Sequence, residues 1–341
     1  MQKEKGLNEI RKRIEAAAKF TNIAVIYDFD IDGCTAAALL WRFFKINGAT
    51  AQFYATTRGF QNVTMDRIRK QDPDKIVTVD HLPNEELTSF LKSYNTTVLD
   101  HHQHEKHLEQ VDYVTAHDYG IGGSMGYVVY KALQQDLKDV DWIVKLSLFW
   151  DKVLEDTEFY YDGIYQKEIE TYMPFNLVSS LTQVKGAEKI FEVINSSSSL
   201  EEAREKVMQL EDYRRAKDTF DAELKEIKFT KKSFPDIKLD VFWIKTKFKH
   251  MRVYVDYITY QKTGTSVFII NEETQFKFSF RTSLDINFVQ IIRELNKQFP
   301  TFSGGGHAKA CGAALKGEQV EELLNSFTEL YKKAISGSTT K

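Results

Sequence analysis

The rhythm of apolar and polar positions changes several times along the chain. Leu7, Ile10, Ile14, Ala17 and Ala18 recur with the spacing of one helical face. Then Ile23-Ala24-Val25-Ile26-Tyr27 forms an unbroken apolar run, the pattern of a strand buried on both faces of a parallel sheet. Thr35–Phe44 follows as a helix. Ile76–Val79 comes after the Asp72-Pro73-Asp74 turn signal, and Thr97–Leu99 is a third short strand. Leu87–Tyr94 between them reads as a helix, and helices at about Met125–Leu137 and Trp142–Leu154 complete the pattern. Alternating strands and helices predict an α/β domain with a mainly parallel sheet over residues 1–165.

From Ser199 the pattern is helical again. Ser199 and Glu202 form a capping box. Leu200, Ala203, Val207, Leu210, Tyr213, Phe220, Leu224 and Ile227 then trace one stripe on a single helix of roughly 30 residues, ~45 Å long. Residues 166–234 are therefore expected to be a helical linker, with Ser196–Ser199 a loop. After Pro235, Val241–Ile244, Arg252–Ile258, Ser266–Asn271 and Lys277–Arg281 are rich in β-branched and aromatic residues. A smaller α/β domain over 235–335 is expected, ending in a helix around Gln319–Ala334 and a frayed tail, Ser336–Lys341.

Composition excludes several classes. Hydrophobic residues make up 42% and charged residues 28%, an ordinary globular balance. No apolar run reaches the roughly 18–20 residues that span a bilayer. The charged, helix-forming N-terminus has no signal-peptide core, so a soluble cytoplasmic protein is expected. Lys and Arg number 46 against 49 Asp and Glu, a net charge of −3, which leaves room only for a local basic groove. Cys34 and Cys311 are too few for a disulfide framework.

The chemistry lies where the three strands end. The first runs into Asp28-Phe29-Asp30-Ile31-Asp32-Gly33, the second into Asp80, the third into Asp100-His101-His102. In an open parallel sheet, ligands bind outside the carboxyl ends of the strands. Five carboxylates gathered there repel one another by several kcal/mol at an effective dielectric near 20, and these motifs hold no Lys or Arg. A divalent cation is the simplest counter-charge. Carboxylate oxygen with some imidazole nitrogen and no thiolate favours Mn²⁺, with Mg²⁺ the alternative. Such a cluster can hold two ions about 3.5–4 Å apart, suited to in-line displacement at phosphorus. Taken singly, each motif has a blander reading. Asp-x-Asp-Gly also occurs in HAD-type phosphatases and calcium loops, and a lone Asp after a strand is often a helix cap. HAD enzymes have no use for Asp100-His101-His102.

Together, Asp28–Gly33, Asp80 and Asp100-His101-His102 resemble motifs I to III of the DHH phosphoesterase superfamily. That group includes RecJ exonucleases, nanoRNases, cyclic-dinucleotide phosphodiesterases and family II pyrophosphatases. The small-residue helix start Gly122–Tyr127, the helix Trp142–Trp150 and then Asp151 resemble its fourth motif. In layout the chain is most similar to the archaeal RecJ-like branch. Trp150 replaces the usual small residue before that Asp, so Asp156 is the alternative. The resemblance implies that Asp30, Asp32, Asp80, His101 and Asp151 are metal ligands, with Asp80 and Asp151 bridging. Asp28 joins them or stands beside them. It further implies that Asp100 orients His101, that His102 faces the phosphoryl group or protonates the leaving oxygen, and that Ser124 contacts substrate.

In the second domain, Ser303–Gly312 holds Gly304-Gly305-Gly306-His307 and Lys309, read as a phosphate-wrapping loop followed by a small-residue helix. With Phe278–Ser283 before it, this stretch resembles the DHH-associated domain of nanoRNases and RecJ proteins, where the Arg (here Arg281) and the glycine loop hold the nucleotide. Pyrophosphatases carry a different second domain. Lys245, Lys247, Lys249, His250 and Arg252 lie among Trp243, Phe248 and Tyr254, which suits single-strand stacking or ordinary strand alternation. The expectation is a metal-dependent phosphodiesterase, with its site in a cleft between the domains, acting on single-stranded DNA or RNA or short oligonucleotides. The rivals are a small-substrate phosphodiesterase or phosphatase, taking a dinucleotide or a 3′-phosphorylated adenosine nucleotide, and a catalytically silent replication scaffold.

Overall fold

A computed structural model describes residues 2–57, 61–102, 111–154, 157–161, 163–245, 255, 259, 264–272 and 275–338. The chain divides into two compact units, Met1–Lys217 and Asp218–Lys341.

The first unit contains α1 (Gln2–Ala17), β1 (Ile23–Asp28), α2 (Ile31–Ile46), β2 (Ala51–Thr56), α3 (Gln61–Gln71), β3 (Lys75–Val79), α4 (Glu85–Leu91), β4 (Thr96–Asp100) and β5 (Asp112–Thr115). It continues through α5 (Met125–Leu133), α6 (Asp141–Asp151), α7 (Ile164–Asn195) and α8 (Leu200–Gln209) into α9 (Glu211–Glu226), where the boundary falls. Its five strands are all parallel, in the order β2-β1-β3-β4-β5. Helices cover both faces, which is why β1, β3 and β4 read as continuous apolar runs. On one face Ala24, Ile26 and Ile76 pack with Met65 and Ile68 of α3 and Leu87 and Leu91 of α4. On the other, Tyr27 meets Phe191 of α7 at 5.5 Å between ring centres, and α2 packs against α5, α6 and α7.

The single long helix expected from Ser199 onward is broken. Leu210 takes an extended conformation (ψ 137°) between α8 and α9. Beyond the break, in the acidic first turn of α9, Asp212 pairs with Lys189 of α7, a contact between segments that the local period does not record. The 32 residues of α7 contain Pro174 and are split by a non-helical residue, Gln183 (φ 51°, ψ −130°), into two helical segments. No helix among the described residues is long and apolar enough to cross a membrane.

The second unit continues with β6 (Lys228–Phe234), β7 (Leu239–Lys245), β8 (Thr265–Glu272), β9 (Gln275–Thr282), α10 (Phe288–Gln298), β10 (Phe302–His307), β11 (Ala310–Leu315) and α11 (Val320–Ser338). Its mixed sheet has the order β10-β11-β9-β8-β7-β6, with β7 and β8 parallel. Val267, Phe278 and Phe280 form one core with Phe288 and Ile292 of α10 and Phe327 and Tyr331 of α11. Of the strand expected at Arg252–Ile258 only Val255 is described, and it is helical rather than extended; the other residues lie outside the described ones. A second correction concerns the glycines. Gly304-Gly305-Gly306-His307 belongs to the edge strand β10, paired with β11, and the segment after it is that strand rather than a small-residue helix. Small residues suit a close hairpin: a Cβ on Gly304 would stand 2.5 Å from that of Ala313.

Gly33 sets the join between β1 and α2. Any Cβ there would overlap the Asp28 carbonyl oxygen, a backbone atom with nowhere to move. Gly33→Ala is therefore expected to destabilise the first unit by about 1–3 kcal/mol. Urea unfolding checks this: the midpoint falls with the slope unchanged.

Candidate metal centre

β3 lies between β1 and β4, so the sequence motifs at the three strand ends become neighbours. Asp80 leaves β3 with φ 58°, in the left-handed region, while its N–H donates to the Leu99 carbonyl of β4 at 3.1 Å. Its carboxylate faces His101: Asp80 Oδ1 is 3.1 Å from His101 Nε2. Asp32 Oδ2, in the first turn of α2, stands 3.4 Å from the same nitrogen, and Asp151 Oδ2, at the end of α6, 3.8 Å. Among the described residues two donor groups have ligand atoms within 4.8 Å of one another: Asp80, His101 and His102, and Asp32, His101 and Asp151. Asp28 and Asp30 belong to neither group and stand beside them. Asp156, the alternative to Asp151, is outside the described residues.

Asp32 and His101 are held from behind. Asp32 Oδ1 accepts from Gly126 N at 2.8 Å and Ser147 Oγ at 2.6 Å, and Oδ2 from Met125 N at 2.6 Å. The carboxylate thus sits on the N-terminus of α5, where free N–H groups and the helix dipole favour negative charge. Ser124, expected to touch substrate, is fully buried: it caps α5 and hydrogen-bonds Ser147. His101 Nδ1 donates to the Gly123 carbonyl at 2.9 Å, which leaves the Nε2 lone pair toward the carboxylates. Asp30 Oδ1 caps α2 by accepting from Gly33 N at 3.2 Å. Trp150 is buried against Phe149 at 5.5 Å between ring centres, so the core accommodates a large residue before Asp151.

Two placements differ from expectation. Asp100 Oδ1 accepts from His102 Nδ1 at 2.8 Å, so it orients His102 rather than His101. Asp100 is the last residue of β4, and the chain beyond the strand brings His102 back to its carboxylate. The second is His81, which sequence reasoning misses. It is buried, with Nδ1 3.1 Å from Asp28 Oδ1 and Nε2 2.7 Å from Gln61 Nε2. The available signal is a further imidazole directly after an isolated Asp at a strand end.

The electrostatics show the strain of this arrangement. Burial and the neighbouring carboxylates of Asp32, Asp30 and Asp151 push Asp80 well above the usual carboxylate range. Burial opposes charge on His101, but Asp32 and Asp151 outweigh it and raise its pKa. Burial raises the Cys34 thiol strongly, and its sulfur points at the carbonyls of Phe29 and Ala187, so it offers no thiolate. Carboxylate oxygens and imidazole nitrogens, crowded and short of positive charge, fit a hard divalent ion.

In the second unit, Arg281 is buried, with Nη1 donating to the carbonyls of Phe280 (3.0 Å) and Cys311 (3.3 Å). It pairs in register with Ala310, which pairs with His307, so Arg281 and the end of the glycine strand share one level of the sheet. Lys309 Nζ donates to the Leu284 carbonyl and lies 3.7 Å from Asp285. The side chain of His307, and residues Lys247, Phe248, Lys249, His250, Arg252 and Tyr254, lie outside what is described.

The Asp100–His102 pair gives a direct test in the metal-free protein. Burial and His101 disfavour charge on His102, yet Asp100 holds its pKa up at about 9, while the bond from His102 overrides burial and holds Asp100 down at about 2. The pair's stabilisation through His102 is complete below the ordinary 6.5 and is lost as pH rises through about 9. Through Asp100 it is present above 3.8 and lost as pH falls toward about 2. Asp100→Asn should move the His102 titration, followed by NMR of its ring C–H, back down toward 6.5. An unmoved titration refutes the pairing.

Comparison with known proteins gives the family of the two domains. The N-terminal domain of the DHH family matches residues 22–148, and the DHHA1 domain matches residues 241–333. No curated protein matches. RecJ from Thermus thermophilus, in complex with Mn²⁺, aligns at TM-score 0.61 and 18% identity over 96% of this chain and 55% of that one. The DHH domain of a protein described as a ribosomal-protein family member aligns at TM-score 0.66 and 16% identity, over 96% and 90%. An exonuclease RecJ bound to manganese aligns at 0.50 and 16%, over 96% and 94%. The chain spans little more than half the length of Thermus RecJ, and these likenesses are of fold. With both domains matched in order, and the three strand-end motifs assembled around His101, the chain belongs to the DHH superfamily, with a DHHA1 C-terminal domain.

Proposed function

We propose that the protein is a Mn²⁺-dependent phosphodiesterase that hydrolyses single-stranded nucleic acid or short oligonucleotides to mononucleotides. One observation carries this reading: the Nε2 of buried His101 lies 3.1–3.8 Å from the carboxylates of Asp80, Asp32 and Asp151. That is a donor set for a hard cation. Structures of Thermus RecJ with Mn²⁺ and with Mg²⁺ support the choice of ion by analogy of fold.

Asp32, Asp80, Asp151 and His101 would hold two ions, with Asp28 and Asp30 completing the set of carboxylates around them. Such ions, when bound, lower the pKa of water and stabilise charge on the phosphoryl oxygens. His102 does the proton work. Its Nδ1–H is fixed on Asp100, so as the imidazolium it can give Nε2–H to the leaving oxygen. In the second unit, Arg281, Lys309, His307 and the backbone of Gly304, Gly305 and Gly306 supply phosphate contacts suited to a nucleotide.

Asp80→Ala is expected to lower Mn²⁺-dependent hydrolysis by on the order of 10³-fold or more while the fold, followed by circular dichroism, is kept. A variant as active as wild type overturns the assignment. Rates on 5′- and 3′-labelled RNA and DNA of graded length define the substrate. Activity sustained on long strands supports an exonuclease, and activity confined to dinucleotides or 3′-phosphorylated mononucleotides replaces it with a small-substrate enzyme. Absence of hydrolysis, with no metal retained after dialysis, leaves a scaffold.

A further inference from the structure

The buried imidazole of His81 has no part in the centre described above, yet it lies between two elements of it. β3 has β1 on one side and β4 on the other. The left-handed turn at Asp80 sends consecutive side chains to opposite neighbours: Asp80 toward His101 after β4, and His81 toward Asp28 at the end of β1. His81 is 4% exposed and Gln61, in the first turn of α3, 2%. Both are sealed from solvent, so the partners they have are the partners they use.

The hydrogen bonds run in one direction. The ionised Asp28 carboxylate only accepts, so the proton of His81 is on Nδ1, 3.1 Å away. A neutral ring then has Nε2 as an acceptor, and Gln61 Nε2, at 2.7 Å, is the donor that faces it. Turning the Gln61 amide over would leave a buried NH₂ group in the place now held by Oε1, which has no hydrogen-bond partner among the described residues. Buried N–H groups are orphaned far less often than carbonyl oxygens. The chain Gln61 to His81 to Asp28 is thereby consistent at every link.

We infer that His81, locked in its Nδ1–H tautomer by Gln61, is a positioning residue that fixes the Asp28 carboxylate for the divalent-ion centre. Through Asp28 it takes the same part that the Gly123 carbonyl takes for His101 and the α5 N-terminus takes for Asp32. Burial and the charge on Asp30 both work against an ionised Asp28, and the bond from His81 opposes them. The assignment rests on the metal centre proposed above.

The test is Mn²⁺ binding to the dialysed full-length protein, measured by calorimetry and by electron paramagnetic resonance, in wild type, His81→Ala, His81→Asn and Gln61→Leu. His81→Ala should weaken Mn²⁺ binding by about 10–100-fold, the usual cost of losing a group that orients a ligand. Asn at 81 places an N–H close to the position of Nδ1 and should recover most of that loss, which a residue serving only to fill space would not do. Gln61→Leu, on a different element, should weaken binding in the same direction. In hydrolysis, His81→Ala should lower kcat with little change in KM, because substrate contacts are untouched. Wild-type Mn²⁺ affinity in His81→Ala, or His81→Asn as weak as His81→Ala, overturns the inference. Should His81→Ala fail to fold, an unchanged affinity in Gln61→Leu overturns it instead. Wild-type protein that takes up no Mn²⁺ overturns the metal centre itself, a result distinct from variants that bind as well as wild type.

Discussion

Three carboxylates around one buried imidazole nitrogen are the constraint that the first unit is built to satisfy. At about 4 Å and an effective dielectric near 20, each like-charged pair costs about 4 kcal/mol. That is comparable to a large part of a domain's net stability. The cluster persists because its supports are backbone groups on rigid elements. Asp32 takes two N–H groups of α5 and the hydroxyl of Ser147. His101 takes the carbonyl of Gly123. Asp80 is left with the strongest push toward protonation. A divalent cation removes that push more directly than any rearrangement of the chain.

The small residues around α5 follow from the same constraint. Gly126 lets the helix start approach Asp32: a Cβ there would lie 2.6 Å from Ser147 Oγ and 2.8 Å from Thr35 Oγ1. It would displace the very hydroxyl that donates to Asp32. Ser124 and Ser147 are buried polar residues with an obligation of their own, met by each other, by Asp32 and by the Tyr127 N–H. Ser124, for which the resemblance implies substrate contact, lies instead in the cradle of the Asp32 carboxylate.

Legibility in the sequence tracks burial and locality. The strands β1, β3 and β4 stand out because both of their faces are covered, and parallel topology puts the motifs at their ends on one sheet edge. The strands β2 and β5, at the sheet edges, mix polar and apolar positions and offer no run to notice. The stripe from Leu200 to Ile227 is continuous on paper, yet the Lys189–Asp212 pair, between distant segments, accompanies a break at Leu210 that no local period records. Gly304-Gly305-Gly306 reads as a loop because glycine disfavours both regular structures. Pairing with the equally small residues of β11 makes it a strand. The motifs bring His101 and His102 to the site but exchange their partners. The answer lies just past the end of β4, where His102, two residues on from Asp100, returns to its carboxylate.

Asp80 shows what the assembly costs. A non-glycine residue in the left-handed region carries about 1–2 kcal/mol of steric penalty, and here it falls on a residue already burdened by burial and like charges. Glycine would relieve the backbone but supply no carboxylate. An extended backbone at 80 would relieve it too, but would send Asp80 and His81 elsewhere than to the strands on either side. The hydrogen bond from Asp80 N to Leu99 O offsets part of the penalty and joins the turn to β4, the strand that ends at Asp100, just before His101. Strain held in place by surrounding structure is a mark of functional sites. Here it orients two successive side chains toward two different strands, so the positions of both are set by the fold itself.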